Sequence, residues 1–301
     1  QDTRKMKVPL PIIRWLWSSA TWVGMRRIGN GIKYYLNDAY GDTVFYWEGN
    51  NEAAAAVNGY IALTIDDGLC RNTDDTNMIK KVQELLKSHN AHATFFVCTD
   101  YTPDNNNNNV IQSLLQDGHE FGNHLQKDIM GYYNTLSKKE FRTELRNANS
   151  HLLNSMIPKK EDTTTTTTTS NNTIKWFRAP NGRMTKTMRE VIKEESMIHV
   201  LGDCYCDDWA FSENDDTHPE SNDSYKFVAP LMFRQVSSSC GGSIVIFHMP
   251  EYGFRQTCYT ALKEFLEIIQ TKKLQCISLS EMEELCNNNT PKTTLSSKNN
   301  D

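Results

Sequence analysis

Long apolar runs are missing from this sequence. No stretch of about 18 uncharged apolar residues exists, so no membrane-spanning helix is expected. The best candidate, residues 8–23, is interrupted by Pro11 and Arg14. A basic surplus is missing too: 32 Lys and Arg stand against 37 Asp and Glu, a net charge of −5. A chain without a basic footprint is not expected to bind nucleic acid. No C-x-x-C occurs among the eight cysteines, Cys70, Cys98, Cys204, Cys206, Cys240, Cys258, Cys276 and Cys286, which argues against zinc-ribbon and thioredoxin chemistry. Their even number permits disulfides, but a chain this long does not need them as its framework. Hydrophobic residues make up 38% of the chain, short of the roughly 45–50% of ordinary globular sequences. Polar runs at 105–109, 163–169 and 287–289, the last with its tail, account for part of the deficit. The remainder has the composition of a core-forming chain.

Three Asn-x-Ser/Thr sequons, at Asn171, Asn222 and Asn288, say little about secretion in a chain so rich in Asn and Thr. The sequence begins with Gln1 rather than Met, which leaves a removed signal peptide open.

The 301 residues allow two domains of about 150 residues, or one barrel of about 250. Residues 1–58 form a lead segment with Trp15, Trp17, Trp22 and Trp47, helix-like around 12–25 and expected to pack on the main domain. Core or interface packing is the ordinary use of such rings, with a binding role as the alternative. From Gly59 onward a strand-then-helix rhythm begins. Strands are expected at 60–65, 93–98, 120–123, near 176–177, and at 198–201, 243–247 and 274–277. Helices are expected around 78–86, 110–115, 141–153, 185–195 and 254–270, with capping boxes at Ser137/Glu140 and Ser280/Glu283. The run 161–172 has no apolar residue and reads as a disordered insertion, as does the tail 286–301. About seven repeats in roughly 230 residues fit one α/β domain, a distorted (β/α) barrel of about seven parallel strands over 59–285.

Parallel barrels place their sites at the C-terminal ends of strands. Asp66 and Asp67 follow the first strand here. His124 follows the third, with Asp128 four residues on, and Arg178 follows the fourth. Asp207, Asp208 and Trp209 come after the fifth, and His248 ends the sixth. Carboxylates, imidazoles and a guanidinium thus gather at five strand ends.

These segments are similar, in order, to the motifs of one family. Thr64-Ile65-Asp66-Asp67-Gly68 matches T-F-D-D-G. His124-Leu125-Gln126-Lys127-Asp128, preceded by Gly118-His119-Glu120-Phe121-Gly122-Asn123, stands where H-[ST]-x-x-H would. Arg178-Ala179-Pro180-Asn181-Gly182 matches R-x-P-x-G, Asp208-Trp209 a fourth motif ending in D-W, and Ile244-Val245-Ile246-Phe247-His248 an apolar strand ending in His. With the His92-Ala93-Thr94-Phe95-Phe96 run, the chain resembles the NodB-homology polysaccharide deacetylases, carbohydrate esterase family 4, over about residues 59–285.

The resemblance implies one divalent metal ion, zinc first, with cobalt or manganese as alternatives. Its ligands would be Asp67, His124 and Asp128, leaving a position for water. Asp128 departs from the family's second histidine; a carboxylate would harden the site towards manganese-like or cobalt-like ions. The resemblance makes Asp66 the general base, against an Asx turn as the plain alternative. Arg178 would pair with it, or be an ordinary surface ion pair. His248 would be the general acid, tuned by Asp208. The backbone N–H of Asn181 would hold the oxyanion, and Trp209 and Ile246 would line a pocket for the acetyl methyl. Cys204 and Cys206 read as packing or reactive thiols rather than metal ligands.

The implied activity is removal of N-acetyl groups from an N-acetylglucosamine polysaccharide or oligosaccharide such as chitin. Two alternatives stay open: an O-acetyl esterase or small amide or imide hydrolase on the same scaffold, and a glycan-binding protein that has lost turnover.

Overall fold

Seven parallel strands hold the core together in the computed structural model. It describes residues 10–47, 57–69, 77–102, 108–156, 173–211, 226–237, 241–252 and 255–288. The insertion expected at 161–172 and the tail beyond Asn288 lie outside the described residues.

Strand β1 (Tyr60–Gly68) is the axis of the sheet. After it come α4 (Asn77–Ser88), β2 (Thr94–Val97), α5 (Asn108–Gln116), β3 (Glu120–Asn123), α6 (Lys138–Met156), β4 (Trp176–Phe177), α7 (Lys186–Glu194) and β5 (Ile198–His199). The chain continues through α8 (Val228–Ser237), β6 (Ile244–His248), α9 (Gln256–Thr271), β7 (Gln275–Ile277) and α10 (Leu279–Asn288). The strand order is β5-β4-β3-β2-β1-β6, with β7 pairing the first residues of β1. Past β5, Cys204 bridges to Val245 of β6. The sheet thereby curls into the expected distorted barrel. Nearly every side chain of β1 is buried, as a central strand with cover on both faces requires.

The helices follow their apolar spacing. Met78, Ile79, Val82, Leu85 and Leu86 bury one face of α4, and Phe141, Leu145, Ala148 and Leu152 one face of α6. The capping box opening α6 is complete: Ser137 N–H donates to Glu140 Oε2 at 2.8 Å, and Glu140 N–H to Ser137 Oγ at 3.3 Å. The box expected at Ser280/Glu283 forms two residues earlier. Ser278 N–H donates to Glu281 Oε2 at 2.7 Å and Glu281 N–H to Ser278 Oγ at 3.3 Å. Tertiary contacts decide the register: Ser280 Oγ accepts from Trp176 Nε1 at 2.9 Å, and Glu283 pairs with Lys175.

The described part of the lead segment holds α1 (Leu10–Val23), α2 (Met25–Tyr35) and α3 (Asn37–Tyr40). The helix expected across 12–25 breaks at Gly24, whose φ of +97° suits a residue without a Cβ. Trp17 Nε1 donates to Asp207 Oδ2 at 3.0 Å, and its ring meets Tyr205 edge-on at 5.2 Å. Trp47 meets Trp176 edge-on at 6.3 Å. Val44 bridges to Val200 and Tyr46 to Ser243. Arg26 Nε binds the buried Asp203 Oδ2 at 2.7 Å. Asp203 also accepts from Ile244 N–H at 2.9 Å and Ser243 Oγ at 3.2 Å, fixing the start of β6.

Removing one partner of a buried ion pair leaves a charge without compensation. Arg26→Met is therefore expected to lower stability by about 3 kcal/mol in urea unfolding. Arg26→Met with Asp203→Asn should recover most of that loss. Equal stability of the single variant and the parent would show that the lead segment does not brace the barrel here.

Candidate active site

The parallel register of β1 and β6 sets Asp66 beside His248 at their C-terminal ends. Arg178, just past β4, reaches under them. Its Nη1 donates to Asp66 Oδ1 at 2.6 Å and to Thr64 Oγ1 at 2.8 Å, its Nε to the Val200 carbonyl at 3.0 Å, and its Nη2 to the Leu201 carbonyl at 3.3 Å. The guanidinium lies 4.1 Å from the centre of the Phe96 ring. Only 1% of Arg178 is exposed, so this is not a surface ion pair. Burial pushes its pKa down and Asp66 opposes that shift. A charge so deeply desolvated is tolerable only with its partner and hydrogen bonds in place.

Asp67, one residue on, faces a different set of groups. It is fully buried with φ +55°. Arg255 Nη1 donates to its Oδ2. Its Oδ1 lies 3.7 Å from Cys98 Sγ and 3.8 Å from His124 Nε2. Burial works against the charged carboxylate, but Arg255, with His124 and His248, outweighs it and holds the Asp67 carboxyl well below the usual carboxylate range. Burial and the nearby carboxylates, Asp67 first, push the Cys98 thiol up.

His124 Nδ1 lies 2.8 Å from the Arg178 carbonyl oxygen. A carbonyl only accepts, so Nδ1 carries a hydrogen, and Nε2 is the ring nitrogen that faces Asp67. Asp67, Cys98 and His124 bring one ligand atom each within 4.8 Å of one another, all three side chains buried. Tetrahedral bonds of about 2.0–2.3 Å set ligand atoms roughly 3.3–3.8 Å apart, close to the 3.7 and 3.8 Å from Asp67 Oδ1 to the sulfur and the nitrogen, so these three residues could hold a divalent cation. The outward partners of His124 and Asp67 are the kind that orient metal ligands.

His248 ends β6. Its Nδ1 lies 2.6 Å from Asp208 Oδ1, and its N–H donates to Asp208 Oδ2 at 2.9 Å. Burial lowers the imidazole pKa, but the Asp208 charge and hydrogen bond outweigh it and hold His248 above its ordinary value. Trp209 is half-buried, with Nε1 donating to the Tyr205 hydroxyl at 3.3 Å. The Tyr205 ring lies 6.1 Å from that of His248. Ile246 is buried in β6, in register with Thr64.

Asp128 is half-buried, and its Oδ1 accepts from Asn181 Nδ2. Burial pushes its carboxyl up, with His124, Asp67, His248 and Asp66 all felt electrostatically. The structure therefore gathers Asp66, Asp67, His124, Arg178, Asp208 and His248 into linked contacts, while the Asp128 side chain turns to Asn181. Asp67, Leu125, Asn181 and Asp207, each at or beside a site residue, have φ between +52° and +61°. Left-handed backbone at ordinary residues is retained where surrounding contacts over-determine it.

Two residues escaped the sequence reading. Cys98 follows β2, the one inner strand end not searched for chemistry. Arg255 is the N-cap residue of α9, where a cation opposes the helix dipole; that mismatch was a readable sign that something else holds it. Cys204 and Cys206 are fully buried, their thiols pushed up by burial, and they pack the core. The six described cysteines are all free thiols. Among the described residues no helix is long and apolar enough to cross a membrane.

Residues 54–197 match the family model for polysaccharide deacetylase. None of the curated proteins matches the chain. Among solved structures, it is similar to the peptidoglycan deacetylase PdaC from Bacillus subtilis (TM-score 0.57, 20% identity, covering 76% of this chain and 92% of that one). It is also similar to a family 4 acetyl xylan esterase from Clostridium thermocellum in complex with a cobalt ion (0.54, 20%, 75% and 91%). A third is BA3943 from Bacillus anthracis, a CE4 family pseudoenzyme (0.54, 17%, 80% and 68%). At these identities the likeness establishes a shared fold.

Replacing Asp208 with Asn removes the charge that raises the His248 pKa. An NMR titration of the imidazole should show a lower pKa in that variant. Because the folded pKa is raised, the pair's stabilisation is complete below an unfolded value of about 6.5 and is lost as pH rises through the folded pKa. That pH-dependent part of the unfolding free energy should flatten in Asp208→Asn. An unchanged imidazole pKa would remove Asp208 from the role.

Proposed function

We propose that this chain, whose residues 54–197 match the polysaccharide deacetylase family model, hydrolyses the N-acetyl groups of an N-acetylglucosamine polymer such as chitin. The observation that supports this reading is the pair of neighbouring buried carboxylates at the end of β1. One is bound by the buried Arg178, and the other faces Cys98 and His124. Asp67 and His124 would hold a divalent cation, zinc first, with cobalt or manganese as alternatives. When bound, the cation supplies Lewis acidity and lowers the pKa of a water molecule towards about 7.

The chain's own groups then divide the work. Asp66, held and oriented by Arg178, removes a proton from the attacking water. The backbone N–H of Asn181 donates to the oxyanion that develops on the acetyl carbonyl. His248, its pKa raised by Asp208, gives a proton to the departing amine. Trp209 and Ile246 offer an apolar surface to the acetyl methyl. Acetate and the free amino sugar leave. Asp128, bound to Asn181, steadies the loop that presents that N–H.

Two observations favour a second reading. The Arg255 guanidinium already neutralises Asp67, and a solved structure of similar fold is a CE4 family pseudoenzyme. In that reading the chain binds glycan without turnover.

The test is acetate release from chitin oligomers, peptidoglycan and acetylxylan, with and without chelator. Release from chitin oligomers is expected, lost on chelation and restored by zinc. Asp66→Asn should lower kcat by about 10²–10⁴-fold with little change in KM. Release that survives both chelation and Asp66→Asn sinks the mechanism. Glycan binding with no bound metal and no acetate would establish the second reading. A preference for acetylxylan would move the substrate from amide to ester.

A further inference from the structure

Asp128 stands where the resembled motif has its second histidine, and its carboxylate is engaged by Asn181. The thiol of Cys98 lies beside the other two ligand candidates instead. We infer that Cys98 completes the metal site as a thiolate, so that the cation is held by Asp67, Cys98 and His124. The inference rests on the metal-dependent reading above and adds to it the identity of the third ligand.

The backbone places these three residues together for one reason. They stand at the C-terminal ends of β1, β2 and β3, three strands adjacent in the sheet. Gly68 is in register with Val97, and Val97 with Asn123. Cys98 N–H donates to the Gly68 carbonyl at 3.0 Å, and His124 N–H to the Val97 carbonyl at 3.0 Å. Each strand thus delivers one donor at the same level of the barrel. Cys98 Sγ and His124 Nε2 lie on Asp67 Oδ1 at 3.7 and 3.8 Å. Arg255 donates to Oδ2 and the Arg178 carbonyl accepts from His124 Nδ1, while Oδ1, Sγ and Nε2 lie within 4.8 Å of one another. Sγ is also 3.7 Å from the His124 carbonyl oxygen, an acceptor for the S–H of the metal-free form.

Binding breaks the Cys98 S–H bond, releases that proton to solvent and forms a sulfur–metal bond. No change of oxidation state is involved. A thiolate softens the site, so zinc and cobalt should bind in preference to manganese and magnesium. A carboxylate ligand from Asp128 in place of the thiolate would weaken that preference.

The experiment uses the full chain, stripped of metal and titrated with cobalt(II), with absorption as the readout. Expected is a thiolate-to-cobalt charge-transfer band in the near ultraviolet that saturates at one equivalent. The band should be absent in Cys98→Ser and Cys98→Ala, whose folding is checked by near-ultraviolet circular dichroism. Cobalt affinity in those variants should fall by more than the about 10–100-fold that loss of a supporting partner costs. Asp128→Asn should keep the band. Cobalt bound without the band, a band that survives Cys98→Ser, a band lost in Asp128→Asn, or no cobalt binding at all would each overturn the assignment. Metal-dependent acetate release without the band would overturn the Cys98 assignment and leave the deacetylase reading standing. The band without acetate release would do the reverse.

Discussion

Two adjacent carboxylates buried at the end of the central strand constrain the rest of this structure. Asp66 and Asp67 sit in the protein interior, and each is met by a guanidinium from a different part of the chain, Arg178 after β4 and Arg255 before α9. Neither charge could be carried there alone, because desolvation of an unpaired ion costs several kcal/mol. The barrel must therefore close far enough to bring both cations in. That closure also brings His124, Cys98 and His248 to the same end of the sheet. The stability of the fold and the chemistry of the site draw on the same contacts.

The two carboxylates are kept different by their neighbours. Arg178 is shared with Thr64 and two backbone carbonyls, so Asp66 is held by a rigid donor. Asp67 is flanked instead by sulfur and imidazole, groups that can face a cation. Adjacent positions of one strand point to opposite sides, and the backbone at Asp67 is left-handed. Side-by-side aspartates thereby take separate environments without an extra strand.

Much of this was legible in the residues themselves. Apolar spacing gave the strands near their observed ends; β3 matches residue for residue, and the Ser137/Glu140 box caps α6 as its local sequence implies. Local signals failed where distant contacts decide. Ser280 and Glu283 have the pattern of a cap, yet Trp176 and Lys175 claim them. Asp128 has a ligand's spacing from His124, and its contact with Asn181, 53 residues away, is one that spacing does not show. Cys98 looked like the last apolar residue of a strand, and only the register of three strands shows what lies beside it. Arg255 reaches Asp67 across 188 positions, a pairing that no window of sequence contains.

The hold of α1 and α2 on the barrel has a consequence for the order of synthesis. Trp17 reaches Asp207 across 190 positions, and Arg26 reaches Asp203 across 177. As the chain is made from its N-terminus, α1 emerges long before either carboxylate exists. Its tryptophan and the apolar residues around it must stay uncommitted while five of the seven strands are still arriving, a period in which exposed apolar surface favours misassembly. This helix thus leaves the ribosome well before the groups it docks on, and it docks beside the loop that carries Asp208.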